Sequence, residues 1–383
     1  MDRNDVDWKG YWIATTTPFK RDGSLDETAL RQGMRSYPGM GITGVLVNGT
    51  TGEWFSQTEA ERRRVAEIAV EELRGKIPVV IGCTTYRANT TAEFAQHAEK
   101  IGADGVLSTP PPYVVPTPRE IIRYFQDLSD AVKTPIMVYN WHRGTNVEIK
   151  AETAVELAKI KNVVAIKDST TSRAQMAETL EQVIDKVRIF APLISRFGLA
   201  MIRGFGGDGN IDGCPTAASF GSDFYQSVFK GDDARAKAAA DRYGAMMGKM
   251  FNSDWSGKFG TAQAQYKACM NLMGQPGGYP RLPILPIEDP KSLTALSEIL
   301  TEAGLLSRTA RAKAVKFPIS PAPQSRTVSK RKLPGIPFRG VFSSGYRRQG
   351  WPPIESRPIA VILLRGARVF RRLLGGASGS PTK

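Results

Sequence analysis

The chain has 383 residues, 41% of them hydrophobic, which is enough for one large domain or two ordinary ones with a substantial core. Three widely separated cysteines without Cys-x-x-Cys spacing, and only two histidines, His97 and His142, argue against a zinc site or a disulfide framework. The net charge of +15 suggests a nucleic-acid binder only until it is mapped: residues 307–383 hold 17 Lys and Arg against one acid, Glu355, leaving 35 bases and 36 acids in a nearly neutral body.

Residues 1–9 are charged and lack the apolar stretch of a secretory signal, and no segment approaches a membrane-spanning length, so a reducing, cytoplasmic setting is expected. Short β-rich apolar runs then alternate with helix-length amphipathic segments, the pattern of parallel βα units. Strands are predicted at 12–16, 44–47, 79–82, 105–108, 136–139, 163–167 and 188–191, with a short eighth around 210–213. Helix is predicted over 58–73, where Thr58 as N-cap and Glu61 form a capping box, and over 90–101, where Thr90 and Glu93 have the same spacing. Three further helices are predicted at 233–251, 261–273 and 290–303. Eight βα repeats suit a (β/α)8 TIM barrel better than a doubly wound sheet. The expected organisation is a barrel catalytic domain over 1–225, a C-terminal three-helix appendage over 226–306, and a basic Pro/Ser/Gly/Arg-rich tail over 307–383, expected to be disordered.

A barrel carries its active site at the C-terminal ends of its strands, and polar residues gather there. Strand two runs into Asn48-Gly49-Thr50-Thr51-Gly52-Glu53. This is a glycine-rich turn on its own terms, but two adjacent hydroxyls between glycines can also bind a carboxylate with backbone N–H groups or relay a proton. Strand four is followed by Thr109-Pro110-Pro111-Pro112-Tyr113, either a rigid surface loop or a stiff mount for the tyrosine. Strand five ends at Tyr139-Asn140. Strand six, Val163-Val164-Ala165-Ile166-Lys167, closes an apolar run with a lone ammonium. Burial destabilises that charge, lowers the pKa and frees a neutral amine to attack a carbonyl. The alternative is a lysine that snorkels to solvent. Gly204-Phe205-Gly206-Gly207-Asp208-Gly209 matches the dinucleotide GxGxxG pattern, but it follows a helix and precedes a strand, the reverse of the order that puts pyrophosphate on a helix N-terminus. It is read as the approach to strand eight, leaving room beside Lys167. In the tail, the apolar run 359–364 is too short to span a bilayer and lies beside Arg365, Arg368, Arg371 and Arg372; it either touches anionic surfaces weakly or has no part in the chemistry.

With Gly49-Thr50-Thr51-Gly52-Glu53, Tyr139-Asn140 and Val164-Ala165-Ile166-Lys167-Asp168 in this order, residues 8–306 resemble the family of dihydrodipicolinate synthase and N-acetylneuraminate lyase. Thr17-Pro18-Phe19, Gly209 to Gly213 and Arg281-Leu282-Pro283 support the resemblance. It implies a TIM barrel with a C-terminal helical domain, a homotetramer built from tight dimers, and a lysine Schiff base with pyruvate or another 2-oxo acid, without metal or redox cofactor. By position, Lys167 resembles the Schiff-base lysine and Tyr139 the proton-transferring phenol. Thr51 and Tyr113 would complete a proton relay, with Tyr113 reaching into a neighbouring subunit. Thr50, Gly49, Gly52, Arg143 and Ile211 fall at substrate-binding positions. The synthase branch has a carboxylate-gripping arginine five positions after its tyrosine; here that position is Gly144, with Arg143 one residue earlier, and Trp141-His142 replace a small residue and proline.

The resemblance thus implies a synthase joining pyruvate to aspartate semialdehyde, or a sugar-acid aldolase or dehydratase of the same superfamily. A barrel that has lost catalysis and serves as a binding protein is the alternative of another class. Nucleic-acid binding through the tail would predict affinity that falls steeply with salt.

Overall fold

The computed structural model describes residues 1–307; the predicted tail beyond Ser307, with the expectations attached to it, lies outside the described residues. Eight parallel strands close into a barrel in sequential order β1 to β8. They are β1 (Gly10–Ala14), β2 (Gly44–Val47), β3 (Val79–Gly82), β4 (Gly105–Ser108), β5 (Ile136–Asn140), β6 (Val163–Asp168), β7 (Arg188–Phe190) and β8 (Gly209–Asp212). Helices α1 (Glu27–Ser36), α2 (Glu59–Leu73), α3 (Ala88–Ile101) and α4 (Pro118–Ala131) follow the first four strands in turn. After β5 come the one-turn α5 (His142–Thr145) and α6 (Ala151–Leu157), and α7 (Arg173–Val183), α8 (Arg196–Gly204) and α9 (Ala218–Lys230) complete the ring. Three more helices, α10 (Asp233–Met250), α11 (Ala262–Leu272) and α12 (Pro290–Glu302), close the described chain.

The strands read as unbroken apolar runs because both faces are covered. Successive side chains alternate in direction. Val45, Val47, Val79, Ile81, Val106 and Ile189 pack toward the helices. Trp12, Leu46, Val80, Leu107, Met137 and Phe190 fill the barrel interior and leave no pore beneath the site. One irregularity sets the direction of Lys167. The register between β5 and β6 shifts at Ile136/Met137, so Val163 pairs with Ile136 but Ala165 pairs with Met137. Val164 and Ala165 both join the interior core, Ile166 turns out, and Lys167 is left facing in beside Tyr139. Strict alternation from the outward Val163 would have put Lys167 on the helix side.

The Thr58–Glu61 capping box forms as predicted and starts α2. The one expected at Thr90 and Glu93 does not. The helix begins earlier, at Ala88, because the Thr85 hydroxyl accepts from Arg87 N at 3.2 Å and donates to Arg87 O at 2.7 Å, turning the chain before Thr90 is reached. The GxGxxG segment does lie between α8 and β8. The room at Gly209 is filled by Phe190, the β7 register partner of Lys167: a Cβ there would stand 2.5 Å from the Phe190 ring. Helix α9 runs past the boundary drawn at 225 and packs on β1 through Gly221 against Tyr11, which makes it the eighth barrel helix. No described helix is long and apolar enough to cross a membrane.

Candidate active site

Strand β2 ends in a tight turn whose carbonyls at Gly49 and Thr50 accept from Gly52 N and Glu53 N at 3.0 and 3.1 Å. Asn48 and Glu53, both at φ 56, bracket it in the left-handed region. Among the described residues the hydroxyls of Thr50 and Thr51 make no hydrogen bond within the protein, while the Thr50 carbonyl also accepts from Gln263 Nε2 at 3.1 Å. Glu53 points away from them. It forms a fully buried ion pair with Lys267 of α11 at 2.5 Å and accepts from Arg281 N at 2.9 Å. Lys267 also donates to Thr17 O and Tyr279 O at 2.6 and 2.8 Å. Burial pulls the Lys267 pKa down to about 8 against the pull of Glu53. The last residue of the motif is thus a strut between the threonine turn and the C-terminal helices.

Tyr139 of β5 and Lys167 of β6 are register partners, and the Lys167 ammonium nitrogen lies 3.8 Å from the centre of the Tyr139 ring. Lys167 is only 8% exposed. Desolvation lowers its pKa to about 7, with Asp212 partly opposing. Burial also raises the Tyr139 pKa, against the Ser169 hydroxyl, so the phenol stays protonated at neutral pH. At the strand ends, Asp168 accepts from Asn140 Nδ2 at 3.0 Å and Thr170 N at 2.9 Å, and burial pushes its pKa up to about 6.

These groups open into a cavity of about 640 Å3 whose wall includes Thr50, Thr51, Tyr139, Lys167 and Ile211, with Ala14 and Phe190 among the apolar surfaces. Gly49 instead lines a smaller adjoining cavity of about 280 Å3, shared with Thr50, Tyr139 and Trp141. Gly52 packs on Thr15 O and the Asn48 backbone, where a larger residue would crowd the turn. Arg143 reaches the large cavity, but its guanidinium hydrogen-bonds Asp254 O, lies 3.7 Å from the Asp254 carboxylate and covers the Trp141 ring at 5.8 Å. Tyr113, at φ 80 and 85% exposed, is not brought to either cavity.

The structure adds a residue that sequence reasoning passed over. Asp212 ends β8 on the phase opposite Ile211, buried, accepting from the Tyr11 and Tyr243 hydroxyls at 3.0 and 3.2 Å. Burial raises its pKa, and Lys167 is the cation that opposes the shift. An acid in a barrel-strand end was the available signal. Trp141 stacks on Tyr139 at 5.9 Å and 18°, and a Cβ on Gly144 would stand 2.5 Å from its indole, so the two departures from the synthase pattern are one packing solution.

Residues 7–303 match the model of the dihydrodipicolinate synthetase family. An uncharacterized DapA-like lyase of Rhizobium meliloti is 33% identical over 285 residues, 74% of this chain and 92% of its own length. A 4-hydroxy-tetrahydrodipicolinate synthase of Bradyrhizobium diazoefficiens is 31% identical over 311 residues, covering 78% and 98%. The crystal structure of dihydrodipicolinate synthase from Thermotoga maritima superposes with a TM-score of 0.72 at 29% identity, over 79% of this chain and all of that one.

Proposed function

The chain belongs to the dihydrodipicolinate synthetase family and is a lyase of the class I aldolase type, and from that premise we propose that Lys167 forms a Schiff base with pyruvate or a closely related 2-oxo acid. The observation that carries this reading is a buried lysine with a pKa of about 7, at a strand end, under the ring of a protonated tyrosine. Neutral Nζ adds to the C2 carbonyl; the carbinolamine loses water; the iminium makes a C3 proton acidic. Removing that proton gives an enamine, which attacks an aldehyde, or in reverse a C–C bond breaks to release one. Tyr139 donates a proton to the departing oxygen, a role that general acid catalysis rewards with about 10²- to 10⁴-fold in rate. Thr50 and Thr51, with the turn's N–H groups, hold the substrate carboxylate.

The resemblance to the synthase branch, to which relatives named 4-hydroxy-tetrahydrodipicolinate synthase belong, favours condensation of pyruvate with aspartate semialdehyde. Gly144, and the engagement of Arg143 by Asp254, favour the other reading, an aldolase or dehydratase of the sugar-acid type. Assembly into a homotetramer from tight dimers is supported by Tyr113, exposed with Val114 and Val115, which a neighbouring subunit's site would bury. Borohydride reduction in the presence of pyruvate should leave a three-carbon adduct on Lys167. Its absence in folded protein would return the barrel to the binding-protein reading.

A further inference from the structure

A further cavity, of about 480 Å3, lies among the starts of α7 and α8, the second half of α10 and β8, and the Schiff-base step does not use it. Its size is that of an ordinary small-molecule site. Lys167, Tyr139, Thr50 and Thr51 are not in its wall, so what enters it is not the carbonyl that the lysine captures. It borders the large cavity through Pro192, Asn210, Tyr243 and Trp255, which line both. Two members of that partition are pinned. The Tyr243 hydroxyl donates to Asp212 at 3.2 Å, and Trp255 is held at φ 65 by a tight turn in which its N–H donates to Asn252 O at 3.0 Å.

The wall has the chemistry of a site for an anion with an apolar body. Met176, Met247 and Phe251, all buried, offer thioethers and a ring face to a flat group. Arg173 is the one charged side chain in the wall; its guanidinium lies 4.7 Å from the centre of the Phe197 ring, and among the described residues no carboxylate pairs with it. Helices α7 and α8 both begin here. Their caps, Ser172 and Ser195, accept only from Gln175 N and Gly198 N, at 3.3 and 2.9 Å, so the first two N–H groups of each helix have no partner within their helix and the positive ends of two dipoles meet at one wall. An independent feature also asks for a ligand. Asn210 lies on the phase of β8 opposite Ile211 and is 6% exposed, yet among the described residues its side-chain amide makes no hydrogen bond. A buried amide left without a partner costs stability, which a polar group in the cavity would restore.

We propose that this cavity is a second binding site, for a small flat carboxylic acid, with its carboxylate on Arg173 and the starts of α7 and α8, its body against Phe251 and the two methionines, and a polar group of that body on the Asn210 amide. The proposal does not rest on the Schiff-base reading.

Titration calorimetry on the full chain with 4-hydroxyphenylacetate, phenylacetate and 4-hydroxyphenylacetamide tests it. The hydroxy acid should bind once per chain, about tenfold or more tighter than the uncharged amide and about threefold tighter than phenylacetate, as one charge-assisted and one neutral hydrogen bond require. Arg173→Ala, a change at an exposed position, should weaken both acids about tenfold and leave the amide unchanged, with Arg173→Lys between it and the wild type. Asn210→Leu, which keeps the volume and removes the amide, should make the two acids bind alike. Affinity should be the same in Lys167→Ala and in the presence of saturating pyruvate. An amide that binds as tightly as the acid, an affinity indifferent to Arg173→Ala, or displacement by pyruvate would overturn the proposal.

Discussion

Lys167 is held where its charge is least welcome, and that has consequences for stability as well as reactivity. With a folded pKa of about 7 and an unfolded value near the usual one for lysine, the unfolded chain binds more protons between those limits, so stability rises with pH across that window. Near neutral pH the buried amine therefore costs stability, and Lys167→Met should resist denaturant better than the wild type by about 2–4 kcal/mol while losing the pyruvate adduct entirely. Urea titrations at pH 7 and pH 10 measure this; the advantage should shrink at the higher pH. Asp212 works in the opposite direction, stabilising the ammonium. Asp212→Asn should therefore lower the Lys167 pKa further and move the acid limb of the kcat/KM profile to lower pH. A shift to higher pH would remove Asp212 from the electrostatics of the lysine. Tyr139→Phe should lower kcat by about 10²-fold or more if its hydroxyl carries the proton. The lysine and tyrosine were legible because each ends an apolar run. Asp212 was not, because its partners Tyr11 and Tyr243 come from β1 and α10.

At the scale of elements, the site depends on a bulge and on one turn of helix. The doubled inward pair Val164–Ala165 aims Lys167 at Tyr139, yet nothing in Val-Val-Ala-Ile-Lys announces it, since a run that is apolar on both faces has no phase. The strand positions themselves were readable to within two residues for the same reason that their phase was not. Short α5 is defined by a side-chain fit: Gly144→Ala should displace Trp141 and destabilise by about 1–3 kcal/mol, as overpacking does. Trp141→Ala should largely remove that penalty, and a double-mutant cycle in urea measures the coupling. Additive effects would contradict the fit. Thr58→Ala, which removes a formed capping box whose residues line neither cavity, should cost about 1 kcal/mol with no change in substrate preference.

Across the whole molecule, distant segments of chain meet at one mouth. Arg143 and Asp254 are 111 residues apart, and Glu53 and Lys267 join the threonine turn to α11; neither pairing has a local signal, so both stayed out of sight until the chain was folded. The charge census was more informative, because it separated a neutral body from the basic stretch after residue 306. Since the family match ends at residue 303, truncation after Ser307 should leave pyruvate trapping unchanged. If trapping is lost, that stretch contributes to the body after all. Assembly is the other property of the whole molecule: Tyr113→Ala should weaken a dimer seen by light scattering and lower turnover together, whereas a monomeric and fully active wild type would leave Tyr113 without the relay role.

The most direct test of the central claim is the pH dependence of borohydride trapping with pyruvate, read by mass spectrometry on Lys167. A trapping rate that climbs through a midpoint near pH 7 and disappears in Lys167→Ala is the expected result. A midpoint near the ordinary lysine value, or adducts spread over surface lysines and retained in the variant, would contradict it.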